Sequence, residues 1–174
     1  MNQTIQDLMT RRSIRGYSSK MPSHEDLETI CRAGTFAPTG KNTQCPLILA
    51  VTNKELRDRM SRLNAQVMGV DSDPFYGAPA VLVVLADRAT GLTPVEDGSL
   101  VMGNMLNAAH ALGLGSCWIN RAREVFAMEE GKAILKELGI KGDYIGIGNC
   151  IVGYPAVPPR PTAPRKEGYV RWVE

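Results

Sequence analysis

Two hydrophobic rhythms alternate along the chain. Ile5, Leu8 and Met9 fall at i, i+3 and i+4, the spacing of one helix face, and the run passes into Arg11 and Arg12, whose charge suits a helix C-terminus. Ser23, with Asp26 three residues on, reads as the cap of a second helix carrying Leu27, Ile30 and Cys31. The stretch from Gly34 to Pro46 is rich in turn residues, among them Pro38, Gly40 and Asn42. Leu47–Val51 has the length of a strand, and Asn53 opens a third helix with Leu56, Met60, Leu63 and Val67. Ala80–Ala86 is unbroken apolar sequence, expected of a strand buried on both faces. Thr93-Pro94-Val95-Glu96 combines a cap, a first-turn proline and a capping-box glutamate; its helix should reach about Leu112 and stop at Gly113. That helix is small or apolar nearly all round, which places it in a core or a subunit interface. Ser116–Asn120 and Tyr144–Val152 read as further strands, with a helix around Glu130–Leu138 between them.

The alternation of strands and helices predicts a mixed three-layer architecture in a single domain over residues 1–174. The end of the chain breaks the pattern. Prolines crowd the segment from Pro155 to Pro164, a composition that favours a stiff, extended arm. Beyond it, Tyr169–Val173 reads as a strand. Such a strand can fold back on its own chain or reach another sheet, and the sequence pattern leaves both open.

Composition narrows the class. A length of 174 residues with 44% hydrophobic and 22% charged residues describes an ordinary globule and excludes a largely disordered chain. Lys plus Arg number 20 and Asp plus Glu 18, a formal net charge of +2, so neither nucleic acid nor a membrane surface is an expected partner. Any anion must be held by a local cluster. Cys31, Cys45, Cys117 and Cys150 form no paired metal-ligand spacing, and His24 and His110 add none, so no metal site is expected. No apolar leader or membrane-length run is visible, and the expected setting is a reducing, cytoplasmic one.

Several chemical patterns fail on inspection. Gly34 to Lys41 approaches a phosphate loop but has one residue too many between its glycines and no following Ser or Thr. Gly146-Ile147-Gly148 and Gly113-Leu114-Gly115 lack the third glycine of a dinucleotide fingerprint. His110, mid-helix among apolar residues, reads as a satisfied core histidine rather than a base. What remains is Arg11-Arg12-Ser13-Ile14-Arg15, whose guanidinium groups and hydroxyl suit forked, charge-assisted bonds to a dianionic phosphate; the same residues also suit a solvated basic helix end. A second basic group, Arg160 with Arg165 and Lys166, follows the proline arm and suits the same anion. The carboxamides and hydroxyls of Pro38-Thr39-Gly40-Lys41-Asn42-Thr43-Gln44 suit recognition of a planar ring with alternating donors and acceptors, or an ordinary polar turn.

Taken in order, these residues resemble the nitroreductase family of flavoproteins. The resemblance rests on Arg11–Arg15, Ala37–Pro46, Phe75–Ala80, Ala108–Ile119, Gly153-Tyr154-Pro155 and the late basic pair, and spans nearly the whole chain. It implies an α+β fold with a mixed β-sheet flanked by helices, in a homodimer that binds FMN at its interface. The strand of the 155–174 arm would then cross to the partner's sheet. Arg11 and Ser13 would hold the FMN phosphate, with Arg12 in the same segment and Arg165 or Lys166 from the arm. Arg15 would sit by the N1/O2 edge of the flavin. Pro38, Thr39, Asn42 and Gln44 would approach it from the partner subunit, and the backbone of Cys117, Trp118 and Ile119 would pass near N5. Asn64 is a possible counterpart of an asparagine that contacts the pyrimidine ring.

The connection from Asp87 to Thr93 is shorter than in larger family members, so the pocket should be open, with Phe75 and Tyr76 as its main cover. The implied activity is ping-pong hydride transfer from NAD(P)H through flavin N5 to a small-molecule acceptor such as a nitroaromatic or quinone, with no side chain acting as acid, base or nucleophile. A specialised flavoenzyme of the same fold, a reductive dehalogenase or flavin-fragmenting enzyme, and a non-catalytic flavin-binding redox sensor are the alternatives.

Overall fold

The structure, a computed structural model, describes residues 1–159 and 161–174. Arg160, grouped above with Arg165 and Lys166, lies outside the described residues. Four strands make the centre: β1 (Pro46–Val51), β2 (Ala80–Asp87), β3 (Gly115–Ile119) and β4 (Tyr144–Gly153). They lie in the order β1-β2-β4-β3, and every neighbouring pair is antiparallel. The parallel component expected of a mixed sheet is confined, among the described residues, to an isolated bridge between Ser13 and Ser116 on the outer edge of β3. Strand direction is not encoded in an apolar run covered on both faces, which looks the same either way.

Both faces are covered. Val81, Val83 and Leu85 of β2 pack with Met60 and Leu63 of α3 (Lys54–Met68), Phe126 of α5 (Ala122–Ala127) and Ile134 of α6 (Glu129–Glu137). Ala80, Leu82 and Val84 turn to the opposite side, against Leu27 and Ile30 of α2 (His24–Thr35) and Met102 and Met105 of α4 (Pro94–Ala111). Full burial of a Val or Leu contributes roughly 2 kcal/mol, and Val81 to Leu85 are all fully buried. Among the described residues no helix is long and apolar enough to cross a membrane.

Local signals place the helix ends. The side chains of Ser23 and Asn53 accept hydrogen bonds from the Asp26 and Leu56 amides. Gly113, at φ 74°, closes α4 by letting the Leu114 amide bond the Ala109 carbonyl at 2.9 Å. The capping box expected at Thr93 does not form. The Thr93 hydroxyl instead donates to Asp97 at 2.9 Å, one residue past the expected Glu96. His110 is half-buried and meets the Thr10 hydroxyl at 2.9 Å, tying α1 (Gln3–Thr10) to α4. Helix α5 is absent from the sequence reading, because six residues hold too little periodicity to register. It packs where Gly146 leaves room: a Cβ there would lie 2.2 Å from the Ala122 carbonyl oxygen. Gly146 thus makes room for α5 and Gly148 for the Trp118 ring, where the β2–β4 register is irregular, rather than for a nucleotide.

Residues Tyr169–Val173 join no strand in the single chain. Tyr169, Trp172 and Val173 stand 73%, 85% and 97% exposed.

Candidate functional site

Past α1 the chain runs out along the free edge of β3. The Ile14 amide donates to the Ser116 carbonyl at 3.0 Å, and the Tyr17 hydroxyl donates to the Ile14 carbonyl at 2.8 Å. Burial pushes the Tyr17 hydroxyl well above the usual tyrosine range, so it stays a neutral donor. Ile14 is buried, and its neighbours Ser13 and Arg15 are therefore turned outward, as extended alternation requires. The segment leaving β4 is stitched to the same stretch: the Ser18 amide bonds the Tyr154 carbonyl and the Ala156 amide bonds the Gly16 carbonyl, each at 3.0 Å.

That stitching brings the two ends of the chain together. A cleft of about 620 Å³ has Arg12, Ser13 and Arg15 on one side and Pro158, Thr162 and Arg165 on the other. Of the late basic pair, Arg165 enters the cleft, while the Lys166 ammonium lies 5.8 Å from the centre of the Tyr169 ring. One guanidinium nitrogen of Arg12 is committed to the end of α1, donating to the Met9 and Arg11 carbonyls. Arg11 is different: it does not line this cleft, and its Nη1 is buried with no hydrogen-bond partner. A buried guanidinium nitrogen left unsatisfied is costly, and this one keeps its donor capacity for an anionic partner.

The 37–45 loop forms a second group. Lys41, Asn42 and Gln44 all have positive φ, at 49°, 56° and 50°. Non-glycine residues there store strain that the surroundings must hold. The holding group is Asp97, 2% exposed on α4. Its Oδ1 accepts from the Gly40 amide and the Thr93 hydroxyl at 2.9 Å each, and its Oδ2 from the Cys45 thiol at 3.4 Å. Burial first, and then the bond to Asp97, push the Cys45 thiol above its ordinary value. Within the loop the Thr39 hydroxyl accepts from the Gln44 amide at 3.0 Å, and the Gln44 side chain donates to Asn42 at 3.2 Å. Pro38, Asn42 and Gln44 stay exposed. None of Pro38, Thr39, Asn42 and Gln44 lines the arginine cleft of the same chain.

The third group is the end of β3. Cys117 and Ile119 point into the core. Since the Ser116 carbonyl faces outward to Ile14, the backbone of Trp118, two residues on, faces the same open edge. Asn64 is fully buried and donates to the Asn120 carbonyl at 2.8 Å, so in this chain it anchors the turn after β3.

The family model described as "Nitroreductase family" matches residues 8–74 and 64–154. The chain belongs to the nitroreductase family. A relative from Archaeoglobus fulgidus, which carries the name NADH dehydrogenase/NAD(P)H nitroreductase, is 34% identical over 160 residues, covering 89% of this chain and 87% of the relative. An FMN reductase [NAD(P)H] from Bacillus subtilis is 27% identical over 172 residues, covering 90% of this chain and 67% of that one. Among solved structures, a nitroreductase with bound FMN from Bacteroides fragilis superposes with a TM-score of 0.89 at 27% identity, covering all of both chains. Another with bound FMN, from Desulfitobacterium hafniense, gives 0.88 at 26% identity, also with full coverage of both.

One residue of this nitroreductase-family chain stands differently from the sequence expectation. Phe75, expected to cover a pocket, is 1% exposed inside the core, so its ring cannot. Only Tyr76 projects, 41% exposed, with φ at 53°. The sequence signal was shared by adjacent aromatics, and the turn decided between them. Asp73 fixes that turn, accepting from the Phe75 and Gly77 amides at 2.9 and 2.8 Å and from Arg57 at 2.6 Å. Burial alone would raise the Asp73 carboxyl, but the bonds from Arg57, Ser61 and the Gly77 and Phe75 amides hold it below the usual carboxylate range.

Asp97 was missed altogether. Its only signal was an acid on the inward face of an apolar helix, masked by Glu96 in the capping position. Replacing Asp97 with alanine strands the Gly40 amide, the Thr93 hydroxyl and the Cys45 thiol. The expected loss is about 3 kcal/mol of stability, seen as a lowered melting temperature. Cys45 should also become open to alkylation, mapped by mass spectrometry; a Cys45 that stays inert in this variant removes Asp97 as the latch of the loop.

Proposed function

We propose that the protein is an FMN-dependent NAD(P)H oxidoreductase that works as a homodimer, passing hydride by a ping-pong route to nitroaromatic, quinone or similar acceptors. The observation that carries this is the gathering of Arg12, Ser13, Arg15 and Arg165, from opposite ends of the chain, around one cleft. The residues fit the cofactor. The exposed Ser13 hydroxyl supplies a donor for the phosphate and Arg165 a charge from the arm, while the unpartnered Nη1 of Arg11, on the same segment but outside the cleft's lining, would add a further donor. Bound FMN supplies the ring that takes up and gives on the hydride. For a nitro acceptor the overall balance is ArNO₂ + NAD(P)H + H⁺ → ArNO + NAD(P)⁺ + H₂O.

A second copy of the chain completes the site in this reading. Asn42 and Gln44 do not reach the cleft of their own subunit, and their strained loop is held in shape by Asp97 for use elsewhere. Three surfaces support the pairing. Strand β1 has an unpaired outer edge. The Leu100 and Gly103 face of α4 is uncovered. The exposed tail at Tyr169–Val173 has the alternation to add to a partner's sheet. The link from β2 to α4, only residues 88–93, leaves the ring open, with Tyr76 as cover.

Arg15 tunes the reduction in this scheme. A guanidinium beside the N1/O2 edge favours the form that carries negative charge there. If the difference is about 2 kcal/mol, the midpoint potential rises by roughly 40 mV. Arg15→Ala should lower it by that amount in a spectroelectrochemical titration, and an unchanged potential would take Arg15 out of this role.

The test of the whole reading is the absorbance spectrum of the purified protein together with its native mass. A flavin spectrum on a two-chain particle, bleached by NADH or NADPH under anaerobic conditions, is expected. A colourless protein that ignores added FMN ends the proposal, and a flavin that keeps its colour under excess reductant leaves a binding protein instead of an enzyme.

A further inference from the structure

A separate hollow of about 480 Å³ opens between the first turn of α4 and the start of α5. Val95, Trp118 and Ile147 give it an apolar wall; Asn120, Arg121 and Arg123 give it a polar side. Glu124 also lines it, and Ser99, the remaining hydroxyl there, is turned back to the Val95 carbonyl at 2.7 Å. Among the described residues neither Arg121 nor Arg123 makes an ion pair. Glu124 can balance one of the two positive charges and leaves the other.

Arg121 is held at φ 76°. An arginine in the left-handed region costs about 1 kcal/mol that a glycine would not. Left-handed non-glycine residues elsewhere in the described chain, at positions 41, 42, 44 and 76, all sit on loops of the candidate site. The turn is fixed from below, where the Asn120 carbonyl accepts from Asn64 at 2.8 Å and from Asn149 at 3.4 Å. The strained backbone therefore fixes the point at which the Arg121 side chain leaves the chain, at the rim of the hollow.

We propose that this hollow seats an aromatic electron acceptor and that Arg121, with Arg123, selects acceptors carrying an anionic group such as a ring carboxylate. The inference rests on the flavin reading above, in which the Trp118 backbone lies beside the reacting edge of the ring. The aromatic body lies against Trp118, Ile147 and Val95. The carboxylate takes forked, charge-assisted bonds from the free guanidinium groups. A pocket with one apolar wall and a few placed charges is the usual form of a small-molecule site.

The test compares 4-nitrobenzoate with neutral 4-nitrobenzyl alcohol in the holoenzyme and in Arg121→Gly. Glycine keeps the left-handed turn and removes only the side chain, so folding is preserved. The ratio of kcat/KM for nitrobenzoate over the alcohol should fall about tenfold, the loss of one charge-assisted contact, and should be carried by KM. Benzoate, which cannot be reduced, should lose affinity to the same degree, read by quenching of tryptophan fluorescence with or without flavin present. Arg123→Ala should lower the same ratio. An unchanged ratio in both variants overturns the inference, as does an equal loss for the two acceptors. A KM change confined to NADH or NADPH also overturns it, in favour of a site for the reductant's phosphates. Failure of the flavin reading is distinct: it shows as a colourless or unreducible protein, whatever benzoate does.

Discussion

Arg11→Ala is expected to emerge from purification colourless, with affinity for added FMN reduced about a hundredfold. The Arg11 Nη1 is buried without a partner, so the alanine variant removes a donor that the folded chain itself does not use. Two charge-assisted bonds to a phosphate at roughly 1.5 kcal/mol each account for a change of that size. The flavin-free form should behave oppositely. Removing an unpaired, partly buried guanidinium relieves a desolvation cost, so the apoprotein should melt no lower than the wild-type apoprotein. Flavin fluorescence titration and apoprotein melting check the two halves. A variant that holds FMN as tightly as wild type, or whose apoprotein is strongly destabilised, would show Arg11 to be a structural residue and nothing more.

Ending the chain at Gly168 should be as severe, by another route. Tyr169, Val170, Trp172 and Val173 are 65% to 97% exposed in the single chain. Each gives roughly 2 kcal/mol on burial, before the cost of ordering the arm. With the tail gone, the partner's sheet loses the strand proposed to add to it, and only the uncovered face of α4 is left to hold the pair. The truncated protein should run as a monomer at micromolar concentration in native mass spectrometry and should lose its flavin with the partner's Asn42 and Gln44. Arg11→Ala, by contrast, should stay dimeric, so the two variants separate phosphate binding from assembly. A truncated chain that remains a yellow dimer would mean that the tail is dispensable and that the interface lies wholly in the helices.

Much of the fold and part of the site were legible before any coordinates. Caps at Ser23 and Asn53, the stop at Gly113 and the doubly buried run at Ala80–Ala86 were readable because each depends on residues a few positions apart. The Arg11–Arg15 cluster and Arg165 were readable as a candidate anion site, since a phosphate would need such donors whatever the fold. Legibility ended where two distant segments set the outcome. Antiparallel order, α5 against Gly146, and Phe75 turned inward beside Tyr76 turned outward all depend on what lies across from a residue in space.

The same division runs through the site. Residue types, periodicity and cap chemistry are properties of neighbours in the chain, and on that basis 174 residues already specified the elements, the double-faced core and a basic cluster suited to a phosphate. Whether Arg165 comes to Ser13, whether Asp97 grips a loop 57 residues away, and whether Arg11 has a partner depend on chain closure over long separations. Long-range contacts of this kind arise from the packing of the whole core, whose contributions no local window contains.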